Sequence, residues 1–350
     1  MNKKLLMIQA FKQSKVYYFF ILMENNKKYP FVSICTPTYN RRPFIPILVQ
    51  CFQHQTYPKD RMEWIIVDDG TDSIAELIEQ AHIEQIKYYR IEEKMTLGEK
   101  RNFMHKKTKG KYIVYMDDDD YYPPQRVMHA ISRLQSNPQY HIAGSSTLYI
   151  YYNKINKMIQ FGPYGKNHAT AATFAFRKSL LKQTHYDDNA CLAEEKKFLK
   201  DYSIPLLQLN PLKTILVFAH DHNSVNKYDL LEKGVSRQEE SDLKVHHFIR
   251  LEKEKMVYDF FTKYIEEILP LYHQGKPDLK KDVCQSLHVM NEERRQFKNI
   301  MKKNTPKIIQ HGPNGPIEMS LEETVQTLQR QTNLIEYMRE RIMDLEKDNK

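Results

Sequence analysis

The sequence predicts an α/β domain on a parallel sheet flanked by helices, followed by a helical extension and a short C-terminal coiled coil. Three observations carry this reading. From residue 30, short β-branched and aromatic runs alternate with helix-compatible segments. Each run ends in polar residues, as strands of βαβ units do where they present groups to a ligand at their carboxyl ends. After residue 226 the composition shifts to charged helix formers, and Leu321, Leu328, Ile335 and Ile342 then recur every seven residues.

The chain opens with a basic, aromatic leader, residues 1–29. With 350 residues, 41% hydrophobic and 28% charged, the whole can bury a sizeable core. Its net charge is +9, but Lys3, Lys4, Lys12, Lys15, Lys27 and Lys28 against Glu24 put +5 of it in the leader. The remainder is only mildly basic, and no nucleic-acid partner is expected. Cys35, Cys51, Cys191 and Cys284 are scattered, form no C-x-x-C pair, and read as reduced core residues of a cytoplasmic protein. The run VYYFFILM at 16–23 falls short of the roughly 20 residues that span a bilayer and lacks the small-residue cleavage site of a signal peptide. Docking of the leader on the domain is expected; peripheral membrane association, helped by the lysines, is the second reading.

Four strands are expected in FVSICTP (31–37), EWIIVDD (63–69), IKYYRI (86–91) and KYIVYMD (111–117). Helices fit after Pro43 and over TLGEKRNFMHKKT (96–108). The strand ends then converge: Thr36, Pro37 and Tyr39 from the first, Asp68 and Asp69 from the second, Asp117–Asp120 from the fourth. Four adjacent carboxylates behind an apolar strand need either full solvation or a counter-charge. Neither G-x-G-x-x-G nor G-x-x-x-x-G-K-[ST] occurs, so no glycine loop cradles a phosphate here. A diphosphate in this crevice would be neutralised by a metal, and hard divalent cations favour carboxylate oxygens and share their shell with phosphates.

The strings VSICTPTYNRR (32–42), WIIVDDGTDS (64–73), LGEKRN (97–102) and YIVYMDDDDYYPP (112–124), in this order, resemble the successive signatures of the family-2 glycosyltransferases. The likeness covers about residues 30–225. It implies a GT-A fold, a Rossmann-like mixed sheet, and transfer of a sugar from a UDP- or GDP-linked donor to a glycan or glycoconjugate hydroxyl. Inversion at the anomeric carbon and Mn²⁺ or Mg²⁺ as cofactor are implied with it. By position, Thr36, Pro37 and Tyr39 match the segment lining the nucleoside pocket, with Arg41 beside them. Asp69 matches the aspartate that accepts a hydrogen bond from the base, and Arg101 a basic residue near the nucleotide. Asp117 and Asp119 form the D-x-D, Asp117 toward ribose and metal and Asp119 as direct ligand, while Asp118 and Asp120 leave the register open by one. One of Asp68 and Asp69 is expected to cap the turn DDGTDS.

Displacement at an anomeric carbon needs a base for the acceptor proton. In DDNACLAEEKKFLKD (187–201) the resemblance puts the base at Glu195, with Glu194 in reserve; an exposed helix face is the competing reading. The strand in KTILVFAHDHNSVN (213–226) ends at His220, a further candidate metal ligand by the same resemblance. Between metal motif and base, FGPYGKNHATAATFAF offers Tyr164, Asn167 and His168 to the acceptor, although turn formation by GPYG accounts for its glycines and proline alone.

Domain limits follow at 30–225 for the transferase, 226–303 for amphipathic helices packing on the domain or on a partner, 304–318 for a polar linker and 319–350 for the coiled coil. Ser320 and Glu323 make a capping box before the heptads, and polar Thr324 and Gln331 occupy d positions ahead of Met338 and Leu345. A homo-oligomer is expected through this helix, against docking in cis. Three other classes fit less well. A sugar nucleotidyltransferase needs a glycine- and arginine-rich loop where TPTYNRRPF has no glycine; a non-catalytic scaffold has no need of the Glu194–Glu195 pair; and an EF-hand loop alternates its aspartates.

Overall fold

The computed structural model describes residues 28–232, 237–304, 308–312, 315–319 and 321–348. Apart from Lys28 and Tyr29, the leader lies outside the described residues. The chain divides into two compact units, Met1–Ser286 and Leu287–Lys350.

The first unit begins with the expected alternation: β1 (Val32–Thr38), α1 (Ile45–Gln53), β2 (Met62–Asp68), α2 (Ala75–Gln80), β3 (Ile86–Arg90), α3 (Leu97–Lys107) and β4 (Tyr112–Tyr115). There follow α4 (Arg126–Ser136), β5 (Ile142–Gly144), β6 (Leu148–Tyr152), β7 (Lys157–Phe161), β8 (Ala175–Arg177), α5 (Glu195–Phe198), β9 (Leu206–Gln208) and β10 (Val217–Ala219). The first seven-stranded sheet has the order β3-β2-β1-β4-β8-β5-β9. Strands β3, β2, β1 and β4 run parallel, whereas β8 is antiparallel to both β4 and β5. The sheet is therefore mixed. Strands β10-β6-β7, with a later edge strand, make a second sheet.

Alternation along each central strand sorts its side chains into two layers. Val32, Ile34, Trp64, Ile66, Tyr112 and Val114 join the core under α1 and α4, while Cys35, Ile65, Val67, Ile113 and Tyr115 pack with Met104 of α3 and with Phe174, Phe176 and Phe198. Both faces are covered, so β1, β2 and β4 are buried along their whole length. Trp64 stacks on Phe52 with ring centroids 4.7 Å apart, a pairing worth about 1 kcal/mol beyond area burial. Strands β2 and β4 flank β1 on opposite sides. The chain turns one way from β1 to β2 and returns to the other side at β4, which opens a crevice at the carboxyl ends.

Beyond residue 226 the chain is mostly helical and packs on the domain, the first of the two expectations, with one added strand. It forms α6 (Tyr228–Glu232), β11 (Gln238–Glu240), α7 (Leu251–Asp259), a π-helical turn at Phe260–Tyr264, α8 (Ile265–Ile268) and the start of α9 (Lys281–Asn304). β11 is the edge of the second sheet, antiparallel to β7. Val257, Phe260, Phe261, Ile265 and Leu269 belong to the same core as β1 and α1. The boundary placed at 225–226 is thus interior to one unit, because these apolar residues bury against the sheet's own helices.

In the second unit, the polar linker expected at 304–318 is largely a hairpin, β12 (Ile308–Gly312) paired antiparallel with β13 (Gly315–Met319). Gly315, at φ +110°, takes a backbone conformation that a side chain would strain. α10 (Leu321–Asp348) confirms the C-terminal helix; Ser320 of the capping box lies outside the described residues. Among the described residues no helix is long and apolar enough to cross a membrane.

Candidate active site

The carboxyl ends of β1, β2 and β4 open onto one cleft, lined among others by Pro37, Thr38, Tyr39, Arg41, Lys100, Arg101 and Asp117–Asp119. Thr36 is not in it. Its hydroxyl donates to the Met116 carbonyl at 2.6 Å and accepts from Trp64 Nε1 at 2.9 Å, so this residue joins β1 to β4 from within the core. The turn after β2 is held by Asp68, whose carboxylate accepts from the backbone N–H groups of Gly70 (2.9 Å) and Ile74 (3.2 Å) and from Tyr88 Oη (2.7 Å). Of the aspartate pair, Asp68 is the one that caps. Asp69 accepts from Met95 N at 2.7 Å and pairs with Lys100, leaving its side chain fully buried. A donor base would have to share these two partners.

Helix α3 supplies the cations. Thr96 caps it by accepting from Glu99 N at 3.1 Å, and two successive positions then point to different carboxylates. Lys100 pairs with Asp69 and donates to the Thr38 carbonyl at 3.0 Å. Arg101, 2% exposed, donates from Nε to Glu194 at 2.8 Å and lies 3.4 Å from Asp117 Oδ2, with its guanidinium 4.4 Å from the Tyr115 ring centroid. From β1, Arg41 reaches Asp119 Oδ2 at 3.4 Å and Asp118 Oδ1 at 3.7 Å, while anchored on the His222 carbonyl at 2.7 Å.

These neighbours divide the four aspartates. Burial raises Asp117, which Arg101 pulls back, and raises Asp118 to about 7 against the opposing charge of Arg41. Burial and the Asp119 charge push Asp120 far above the carboxylate range, and its Oδ1 is buried without a hydrogen-bond partner among the described residues. At Asp119 burial is outweighed by Arg41, His220, Lys227 and Lys280, which hold it down at about 2. The run is therefore not four charges at neutral pH. Asp119 is held low and Asp120 pushed up, and protein cations provide much of the counter-charge the sequence reading assigned to a metal.

Among the described residues no three His, Cys, Asp or Glu side chains converge as a metal site. Asp117 faces Arg101 instead. Asp119 and His220 remain, with His220 Nε2 3.7 Å from Asp119 Oδ2, and burial keeps the imidazole neutral, its pKa down at about 3. An ionised carboxylate suits Mn²⁺ or Mg²⁺, and a neutral imidazole suits Mn²⁺ of the two. His220 Nδ1 accepts from His222 N at 3.2 Å and Nε2 lies 2.9 Å from Asn223 Nδ2, so a cation on Asp119 would displace Asn223 to reach the imidazole and would draw its other ligands from a diphosphate and water.

The acidic pair sits on a short turn, since only Glu195–Phe198 of the segment 187–201 is α-helical. Ala193, at φ +52°, directs the chain into it. Glu194 is consumed by Arg101, which ties the pair to Asp117 and the cleft. Glu195 forms no ion pair among the described residues, and burial together with the Glu194 charge raises it to about 7. Of the residues expected to face an acceptor, Tyr164 and His168 meet with ring centroids 5.1 Å apart, and His168 lies 5.1 Å from Tyr202, a ring close enough to Glu195 to feel its charge. Asn167 lies between the first two in the chain.

Sequence reasoning missed Lys94, Lys100, Tyr202 and Lys280. Lys100 had a visible signal, standing beside Arg101 at the start of a helix that follows a strand. Lys280 had none, being more than 150 residues from the aspartates it approaches.

Residues 33–202 match the family described as Glycosyl transferase family 2. An uncharacterized glycosyltransferase of Haemophilus influenzae is 30% identical over 107 residues, 31% of this chain and 35% of that protein. A putative teichuronic acid biosynthesis glycosyltransferase of Bacillus subtilis is 34% identical over 94 residues, 26% of this chain and 36% of that protein. The match spans about a third of the length of these curated relatives. Among solved structures, a mannosyltransferase of Pyrobaculum calidifontis in complex with GDP-Man and Mn²⁺ is similar with a TM-score of 0.46 and 14% identity, over 70% of this chain and 74% of that one.

Proposed function

Because residues 33–202 make this chain a member of glycosyl transferase family 2, we propose that it transfers a sugar from a UDP- or GDP-linked donor to a glycan or glycoconjugate hydroxyl, with inversion and with a divalent cation. The observation that carries this reading is the placing of two kinds of carboxyl group around Arg101: Asp117, beside the ionised Asp119, in the cleft, and Glu194–Glu195 behind it. Pro37 and Tyr39 border the nucleoside end of the cleft, and Asp69 holds its floor through Lys100. Asp119 and His220 would hold the cation, which when bound neutralises charge on the departing diphosphate.

Glu195 takes the proton of the acceptor hydroxyl as that oxygen bonds to the anomeric carbon. The bond from that carbon to the diphosphate oxygen breaks on the opposite face and its electron pair leaves with the diphosphate, which inverts the configuration. A carboxyl titrating near 7 is well matched to this task at neutral pH. Glu194 neutralises Arg101 and so keeps the arginine from lowering its neighbour further.

The test is turnover of a panel of UDP- and GDP-sugars with Mn²⁺ and candidate glycan acceptors. Glu195→Gln should keep donor affinity and lose transfer, since an amide preserves shape and cannot accept the proton. Transfer at the native rate by Glu195→Gln would place the base elsewhere, and Glu194→Gln dead beside an active Glu195→Gln would move it by one residue.

A further inference from the structure

We propose that Lys280, which enters the cleft from the segment between α8 and α9, is a donor-binding residue that grips the diphosphate of the nucleotide sugar with its ammonium group. This rests on the donor reading above and assigns that site a cation from outside residues 33–202. Every other cation of the cleft has a carboxylate partner: Arg41 with Asp118 and Asp119, Lys94 with Asp282, Lys100 with Asp69, and Arg101 with Asp117 and Glu194. Lys280 forms no ion pair among the described residues. It is 7% exposed, lines the cleft, and has Nζ 3.0 Å from the Ser224 hydroxyl. Asp118 and Asp119 act on it only from beyond ion-pair distance; a buried ammonium without a close counter-ion is costly, and an arriving anion lowers that cost.

Its surroundings suit a multiply charged anion. Lys94, Lys100 and Lys280 place their Nζ atoms 4.9, 5.8 and 5.9 Å from the centroid of one ring, Tyr39. Lys94 and Lys100 already answer Asp282 and Asp69, so Lys280 is the member of this group left to meet the charge of a diphosphate. The segment carrying Lys280 is also fixed before any ligand arrives. Asn40 Nδ2 donates to the Gln274 carbonyl at 3.0 Å, Arg41 Nη1 to the Gly275 carbonyl at 3.2 Å, and Tyr272 Oη to Asp72 at 2.8 Å. A Cβ at Gly275 would meet His222 Nδ1 at 2.5 Å, so the glycine lets the segment lie against the wall of the cleft. With the segment already ordered, little conformational entropy remains to be lost when Lys280 engages its ligand.

The experiment is calorimetric titration of the full chain in EDTA with UDP, GDP, and the nucleosides uridine and guanosine. EDTA separates the lysine from any metal contribution. Lys280→Gln should weaken the better-bound nucleoside diphosphate by about tenfold or more, leave the matching nucleoside unchanged, and be rescued by Lys280→Arg. Lys280→Met serves in the same comparison if Lys280→Gln does not fold. Equal diphosphate affinity in wild type and Lys280→Gln would overturn the assignment while leaving the donor reading intact. A proportional loss of nucleoside affinity would overturn it too, reducing Lys280 to a shaper of the pocket. Wild-type protein that binds neither UDP nor GDP, in EDTA or with Mn²⁺, would overturn the donor reading along with it.

Discussion

Glu194 and Glu195 are adjacent in the chain and electrostatically unlike: one is neutralised by a buried arginine, and the other is left with burial and a like charge. The pair separates roles by environment, as acid–base sites do when two carboxyls stand close. The sign of its pH dependence follows. Below about 7 Glu195 is protonated and cannot accept the acceptor proton, so the transfer rate should fall as pH drops through that value. In Glu194→Gln the like charge is gone and Arg101 is released toward Glu195, and both changes favour the carboxylate. The acidic limb of the rate profile should then move to lower pH, and an unmoved limb would show that the titrating group is not Glu195. The aspartate run obeys the same logic. Its sequence suggests four equal charges, whereas the fold lowers Asp119 through its cation neighbours and raises Asp120 by burial.

Helix α3 is the element that joins the two halves of the site, and Gly98 sets its distance from the loop before the glutamates. Gly98 N donates to the Ala190 carbonyl at 2.9 Å, and a Cβ at this position would overlap the Asp187 carbonyl oxygen. Gly98→Ala should therefore push the 187–191 loop from the helix, destabilise the protein by about 2–4 kcal/mol, and lower transfer beyond what the loss of folded protein explains. Thermal unfolding and a rate normalised to folded protein would check both; a variant with native stability would mean the loop yields freely. The parallel strands were legible in the sequence because each is a β-branched, aromatic run closed by polar residues, a pattern that local chemistry alone produces. The convergence of Pro37, Tyr39 and Asp117–Asp119 follows from strand order. Thr36 was misplaced because strand alternation turns it inward, to Met116 and Trp64. The strands Ile308–Gly312 and Gly315–Met319 lie in a stretch, NTPKIIQHGPNGP onward, whose polar and turn-forming residues read locally as a linker. Lys280 reaches the cleft only through long-range packing of the extension, which no local pattern encodes.

At the scale of the whole molecule, the first unit carries the cleft and the second carries a helix with an apolar stripe. In α10 the a-position residues Leu328, Ile335 and Ile342 are 58%, 54% and 53% exposed, a stripe that water does not favour. Pairing with a second copy through these heptads is the proposed cover, most simply as a parallel dimer. Deleting residues 320–350 should reduce the mass seen by light scattering to that of a monomer and spare catalysis, since the described cleft residues all precede Leu287. A truncated protein that stays oligomeric would move the interface elsewhere, and a monomeric full-length chain would refute the pairing. The central claim, that the cleft binds a nucleotide diphosphate with help from a cation on Asp119, is tested most directly by titrating the full chain with UDP and GDP with and without Mn²⁺. The account predicts one-to-one binding of at least one of the two, strengthened by Mn²⁺ in the wild type and not in Asp119→Asn. Affinity that ignores Mn²⁺ in the wild type, or that Mn²⁺ strengthens equally in Asp119→Asn, would contradict it.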